Sequence, residues 1–91
     1  MRILAIDAGN SRIKWGVHED GSWRVQGWVA TAQPARLARE WVKLEPPAVI
    51  IATNVAGERV ARSIVSATRR LERRVRFVKS VASQCGVKNS Y

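Results

Sequence analysis

An acidic residue, a glycine, two small polar residues and a lysine follow one another closely near the start of this 91-residue chain. They belong to the stretch Asp7-Ala8-Gly9-Asn10-Ser11-Arg12-Ile13-Lys14. Gly9 allows a sharp bend, and Asn10 and Ser11 suit a tight turn whose amide groups can face an anion. Asp7 can hold Mg²⁺ directly or through water, and Lys14 can approach phosphate oxygens. The stretch predicts a site for a nucleotide phosphate tail, with a plain solvated turn as the alternative.

Two strands are needed to position this turn. The apolar run Ile3-Leu4-Ala5-Ile6 predicts a strand buried on both faces, with Asp7 at its carboxyl end. From Arg12 to Val17, polar residues and glycine alternate with apolar residues, which predicts a strand with one buried face. Strand, turn and strand therefore form a hairpin.

Three further elements continue the pattern. His18-Glu19-Asp20-Gly21 predicts a second turn, and Ser22 to Ala30 a third strand in an antiparallel meander. One face of this strand is expected to carry Trp23, Val25, Gly27 and Val29, and the other Arg24, Gln26 and Trp28. The tryptophans, with Trp15, are interpreted as packing residues. Pro34 begins a helix that runs to about Leu44 and ends before Pro46.

The second half of the chain alternates strand, helix and strand. Ala48 to Ala52 predicts another doubly buried strand, with Thr53-Asn54 at its carboxyl end, on the same edge as Asp7. Thr53-Asn54 could equally form a helix-capping loop. A helix is expected from roughly Glu58 to Leu71, and a short fifth strand at Val75 to Val78.

Composition limits the classes of function. The hydrophobic fraction of 46% and charged fraction of 25% describe one soluble globular domain, and no apolar run reaches the ~20 residues of a membrane span. The expected location is the cytoplasm. The single cysteine, Cys85, allows no internal disulfide, and neither thiol catalysis nor a zinc site is expected.

The net charge of +9 raises a second class, a basic nucleic-acid-binding module. Much of this charge lies on or just after the second helix, at Arg59, Arg62, Arg69, Arg70, Arg73 and Arg74. No helix-turn-helix, zinc-finger or RNP pattern accompanies it, and a basic solvated face is the commoner meaning. A two-metal nuclease is excluded because only Asp7, among 7 acidic residues, ends a core strand.

Three stretches carry a resemblance to a known family. Asp7 to Trp15 resembles the first phosphate motif of the type III pantothenate kinases, in the superfamily of acetate and sugar kinases, Hsp70 and actin. Thr53-Asn54-Val55-Ala56 resembles the family's Ser-Asn-Val segment, with threonine replacing serine, and Gln84 to Tyr91 resembles its Gly-Val-x-Asn-x-Tyr segment. The matches occur in family order. Because the family is more than twice as long, the resemblance implies an amino-terminal piece.

The resemblance implies a fold and an activity. The order of the elements and the resemblance both predict a ribonuclease H-like α/β fold. Its mixed five-stranded sheet would have three antiparallel strands followed by parallel strands with helical crossovers, and helices on its faces. Residues 1–80 would form the ATP-side lobe, and residues 81–91 a connection toward a carboxy-terminal lobe. The family transfers the γ-phosphate of ATP to pantothenate at the start of coenzyme A synthesis, using Mg²⁺ with K⁺ or NH₄⁺.

The resemblance also implies roles for particular residues. ATP would be bound by Asp7, Ala8, Gly9, Asn10, Ser11, Arg12, Ile13 and Lys14, with Asp7 orienting the metal. Tyr91 would contact pantothenate. The family's general base belongs to a Gly-x-Asp-Arg motif expected beyond Tyr91, so no residue here is assigned as catalytic, and the piece alone is expected to be inactive. Family members are homodimers, which predicts a homodimer for the full-length protein.

Overall fold

The computed structural model describes residues 1–78, which form five strands and two helices. The strands are β1 (Arg2–Ala8), β2 (Arg12–Glu19), β3 (Ser22–Ala30), β4 (Val49–Asn54) and β5 (Val75–Phe77). The helices are α1 (Arg36–Glu40) and α2 (Glu58–Arg69). The strand order in the sheet is β3-β2-β1-β4-β5. β2 pairs antiparallel with β1 and β3, whereas β4 pairs in parallel with β1 and β5. The predicted mixed α/β sheet is confirmed.

One face of the sheet carries the core. Its side chains come from alternate positions of the three central strands, namely Leu4, Ile6, Ala8, Ile13, Trp15, Val17, Ile50 and Ala52. Both described helices pack on this face, α1 through Leu37 and α2 through Val60 and Ile64. Trp41, directly after α1, meets Trp15 edge to face with ring centroids 6.0 Å apart. This aromatic pair joins the α1 region to the centre of the sheet.

The opposite face of the sheet departs from the sequence prediction. Ile3, Ala5, Val49 and Ile51 are only half-buried, so the prediction that β1 and β4 are buried on both faces is wrong within residues 1–78. An apolar run indicates that both faces of a strand can be buried. Whether they are buried depends on elements from elsewhere in the chain that pack on each face. Both helices described here lie on the same face. We call the other one the second face.

A β-bulge changes the position of one tryptophan. Val17 pairs with Val25, but His18 pairs with Trp23, so Arg24 is an extra residue on β3. Because a bulge inserts one residue, the side chains before it and those after it no longer alternate in one register, and residues two apart across the bulge lie on opposite faces. Trp23 therefore lies over Gly16 on the second face, and the prediction that it shares a face with Val25 is wrong. Strict alternation in the sequence cannot reveal an inserted residue.

The three tryptophans predicted to be packing residues differ in burial. Trp15 is 7% exposed and lies in the core, whereas Trp23 and Trp28 are 53% and 54% exposed within the described residues. Trp28 stacks instead beneath the guanidinium of Arg12, at 4.5 Å from its ring centroid.

The first helix is shorter than predicted. α1 ends at Glu40 instead of continuing to about Leu44, and Trp41 already has non-helical angles. The chain then proceeds in tight turns, in which the N–H groups of Val42 and Leu44 donate to carbonyls three residues earlier. Val42, within these turns, is exposed. α2 agrees with its prediction apart from its last two residues, and Arg73 and Arg74 follow it in a connection.

The predicted second turn is a tight hairpin between β2 and β3. Asp20 and Gly21 both have positive φ, 53° and 85°, as in a two-residue turn that matches the twist of its strands. His18, expected in this turn, lies within β2 and packs edge to face against Trp23.

Some predictions fall outside the described residues. These concern Cys85, the segment from Gln84 to Tyr91, and the proposed lobe boundary at residue 80. Within residues 1–78, no helix is long and apolar enough to cross a membrane.

Candidate phosphate site

The candidate residues lie in one row across the second face of the sheet. Strand pairing places Asp7 between Lys14 on β2 and Thr53 on β4. Trp28 on β3 pairs with Lys14 on its other side. Paired residues on one face of a sheet are close neighbours. The row therefore combines an aromatic ring, a cation, a carboxylate and a hydroxyl near the carboxyl ends of the parallel strands, where ligands bind in open α/β sheets.

The carboxylate of Asp7 is oriented by its neighbour on β4. The hydroxyl of Thr53 donates a hydrogen bond to Asp7 Oδ1, with the two oxygens 3.0 Å apart. Within residues 1–78, no basic side chain lies within 4 Å of this carboxylate. Asp7 is thus exposed, held in place by a neutral donor and not neutralised by an ion pair. Such a carboxylate is available to a cation or to its bound water.

The turn between β1 and β2 lies directly beyond this row. The N–H of Gly9 donates to the carbonyl of Arg12 at 2.9 Å and closes the hairpin. Asn10 and Ser11 form an exposed tip. Two further bonds come from Thr31, whose hydroxyl donates to the Gly9 carbonyl at 2.8 Å and whose N–H donates to the Ser11 carbonyl at 2.9 Å. All three bonds occupy carbonyls of the turn.

The eight predicted ATP-binding residues do not share one environment. Asp7, Asn10, Ser11, Arg12 and Lys14 are exposed, and Gly9 is half-buried. Ala8 and Ile13 have their side chains in the core, so only their backbone groups can contact a ligand. The Arg12 guanidinium lies over Trp28, at the β3 side of the row.

Asn54 holds the loop before α2, which is the alternative role that the sequence left open for Thr53-Asn54. Its Oδ1 accepts from the N–H of Ala56 at 2.8 Å, and its Nδ2 donates to the carbonyl of Gly57 at 2.9 Å. These contacts shape the loop that enters α2. Of the pair Thr53-Asn54, therefore, the first faces the site and the second holds a loop.

The donor set suits one kind of metal. Within residues 1–78, no group of three His, Cys, Asp or Glu side chains converges. A site with one carboxylate fits Mg²⁺ that keeps most of its water and binds substrate phosphates, and it does not fit an all-protein cage or a two-metal nuclease centre. Asp7 would hold such an ion, with Thr53 fixing the carboxylate.

A depression of about 300 Å³ opens beside the row on the second face. Asp7 and Lys14 lie at one end, Ala5 and Gly16 line it, and the Trp23 indole forms a wall. Trp23 and Thr31 are two residues that sequence reasoning did not assign to the site. The bulge hid the orientation of Trp23, and Thr31 carried no signal beyond its place in a polar connection.

Comparison with known proteins identifies the family. The family model for type III pantothenate kinases matches residues 3–91. The chain belongs to the type III pantothenate kinase family. Curated type III pantothenate kinases from Nitrosospira multiformis and Aromatoleum aromaticum are 36% and 39% identical over 98% of this chain, and one from Paraburkholderia phytofirmans is 41% identical over 97%. The chain spans 34%, 37% and 33% of their lengths, so the family's amino-terminal region is represented here.

Solved structures support the fold independently. Thermus thermophilus RuvC matches with a TM-score of 0.66 at 16% identity, covering 87% of this chain and 62% of RuvC. The same protein in complex with a Holliday junction substrate gives 0.69 at 14% identity, covering 93% and 68%. At this identity the likeness concerns the fold alone. The predicted ribonuclease H-like arrangement is confirmed.

Proposed function

We propose that this region binds the phosphates of ATP in a protein that transfers the γ-phosphate of ATP to pantothenate, the first step of coenzyme A synthesis. Family membership supports the reaction, and the arrangement of Asp7 supports the role of this part. The proposal depends above all on the bond from Thr53 to Asp7, since it orients a carboxylate that no nearby cation neutralises in the described residues.

Phosphoryl transfer requires positioning and charge more than covalent chemistry from the protein. Mg²⁺, when bound, neutralises charge on the β- and γ-phosphates. Asp7 would orient that ion through its water, and its fixed geometry would avoid reorganisation during the reaction. Asp7 receives no proton in this scheme. The general base is expected in the Gly-x-Asp-Arg motif of the family, beyond Tyr91.

Lys14 and the turn would supply the opposite charge. Lys14 pairs with Asp7 across β1 and β2, and no acidic side chain lies within 4 Å of its ammonium group in residues 1–78. It can therefore offset charge on phosphate oxygens. The amide groups of the exposed tip, Asn10 and Ser11, would donate to the same oxygens.

Three further features belong to the same proposal and rest on family membership. They are the contact of Tyr91 with pantothenate, the binding of a monovalent cation, and the assembly of the full-length protein into a homodimer.

The decisive experiment is Asp7→Asn in the complete protein, because it removes one charge at almost constant volume. We expect kcat/KM for magnesium ATP to fall by about 10²–10³, the size of effect seen when one stabilising group at a transferred charge is lost. A coupled assay of ADP formation with pantothenate measures it.

Asp20→Asn is the matched control. It makes the same chemical change in the β2–β3 turn, where asparagine tolerates the positive φ of 53°. This variant should keep wild-type kinetics. Equal kinetics in wild type and Asp7→Asn would refute the proposed role of Asp7 and of the whole row.

A further inference from the structure

Thr31 makes two hydrogen bonds to the turn between β1 and β2. Its hydroxyl donates to the carbonyl of Gly9 at 2.8 Å, and its N–H donates to the carbonyl of Ser11 at 2.9 Å. The two bonds hold both ends of the exposed tip at Asn10. Thr31 lies 20 residues or more away in sequence, just after β3, and its side chain is half-buried. A single residue therefore connects the turn to the β3–α1 connection.

Thr31 is itself fixed in place. The next residues form a turn in which the N–H of Gln33 donates to the carbonyl of Ala30 at 2.9 Å, and Pro34 is buried. α1 follows at once and contributes Leu37 to the core. The hydroxyl thus projects from a connection that packing and backbone bonds hold still, as a positioning group requires.

By binding the Gly9 carbonyl, the Thr31 hydroxyl also sets the direction of the next N–H group, that of Asn10. In a trans peptide, the carbonyl of one residue and the N–H of the next point in opposite directions. The described residues contain no cis peptide bond. Holding the Gly9 carbonyl toward Thr31 therefore directs the N–H of Asn10 away from Thr31. None of the Thr31 bonds uses an amide of the turn, so this N–H remains a donor for a ligand.

The Thr31 bonds also hold a turn that its own backbone angles do not fix. Neither Gly9, Asn10 nor Ser11 has a positive φ, so the tip lacks the angles that fix the β2–β3 turn from within. An exposed tip of this kind can sample several orientations of its peptide groups unless something outside restrains it. Thr31 provides the restraint through contacts to two of its carbonyls.

We infer that Thr31 is a positioning residue for ATP: it fixes the Gly9 carbonyl and thereby presents the Asn10 N–H to a phosphate oxygen. The inference rests on the proposed function and adds to it a residue outside the phosphate stretch. Thr31 touches neither substrate nor metal in this account. Its effect passes through the backbone of the turn.

The test is Thr31→Val in the complete protein, since valine keeps the shape and removes the hydroxyl. We expect KM for ATP, and the dissociation constant of magnesium ATP measured by calorimetry, to rise about three- to tenfold, as for the loss of one neutral hydrogen bond. KM for pantothenate should stay at the wild-type value. Thr31→Ser restores the hydroxyl and should restore both ATP constants.

Thr68→Val is the matched control. The Thr68 hydroxyl also donates to a backbone carbonyl, that of Val65 at 3.0 Å, but it does so on α2, away from the turn. This variant removes an equivalent bond and should lower the melting temperature without changing either ATP constant. A general loss of stability is thereby separated from a loss of positioning.

Each outcome decides the inference. A Thr31→Val protein with wild-type ATP constants, or a Thr31→Ser protein as impaired as Thr31→Val, overturns it. If Thr31→Val does not fold, Thr31→Ser and Thr31→Ala provide the same comparison of hydroxyl with no hydroxyl. Asp7→Asn, measured in parallel, separates the two hypotheses: its expected loss together with unchanged Thr31→Val kinetics refutes only the role of Thr31.

Discussion

Two hairpin turns of similar composition differ in how they are held. The β2–β3 turn, at Asp20-Gly21, fixes itself, because both residues adopt the positive φ that suits a two-residue hairpin. The β1–β2 turn, at Asn10-Ser11, lacks such angles and is held by Thr31 from outside. The first turn satisfies its geometry locally, whereas the second depends on tertiary contacts.

Their surroundings differ as well. The carboxylate of Asp7 precedes the β1–β2 turn and lies beside the parallel strand β4, where Thr53 donates to it. Asp20 lies at the opposite end of β2 and forms an ion pair with the amino terminus of Met1, at 3.5 Å. The two acidic turns therefore differ in their place in the sheet, although both combine an acid with a glycine. Position at the carboxyl edge of the parallel strands distinguishes the two.

Removing the positive charge beside each turn tests this difference most strongly. Lys14→Ala in the complete protein should raise KM for ATP about 10- to 100-fold, the range for a lost hydrogen bond to a charged group. KM for pantothenate should change little, because Lys14 lies in the β1–β2 hairpin, for which we propose phosphate binding. Steady-state kinetics with each substrate varied in turn measures both.

Arg24→Ala is the control for that experiment, since Arg24 is an exposed cation at the bulge near the second turn. Its KM for ATP should equal that of the wild type. Equal changes of both substrate constants in Lys14→Ala would mean that Lys14 is a solvated strand residue.

A smaller effect is expected from the hydroxyl that orients Asp7. Thr53→Val should lower kcat/KM for ATP by about tenfold at most, because the carboxylate remains but loses one donor. Thr53→Ser, which keeps the hydroxyl, should retain wild-type activity. If valine and serine variants behave alike, the hydroxyl has no part in orienting the carboxylate.

The smallest effect separates stability from ligand binding at the two turns. Gly21→Ala places a side chain at φ +85° and should lower the free energy of unfolding by about 1–2 kcal/mol, with unchanged ATP constants. Gly9→Ala has no such backbone penalty, but its Cβ would lie 3.3 Å from the Arg12 carbonyl oxygen and would shift the turn.

Gly9→Ala should therefore raise KM for ATP while its melting temperature stays closer to that of the wild type. Urea unfolding and ATP kinetics on both variants give the four values needed. A Gly21→Ala protein with weakened ATP binding would remove the distinction between the turns.

Sequence reasoning succeeded where local patterns determine structure. The apolar runs and turn residues located all five strands and both helices of the described region, and the position of Asp7 at a strand end followed from the same patterns. It failed at α1, which ends at Glu40, because several apolar residues at helical spacing also fit a series of tight turns. It also failed at Trp23, because a bulge at Arg24 reverses the alternation.

By itself, the sequence determined the residue types at the site, the order of the elements and the family, since these depend on composition, periodicity and ordered motifs. Only the tertiary structure decided that Thr53 donates to Asp7, that Asn54 holds a loop, and that Thr31 restrains the turn. The pairs Thr53–Asp7 and Thr31–Gly9 are separated by 46 and 22 residues, so strand pairing and packing bring them together. Local propensity acts over a few residues and cannot specify contacts at that separation.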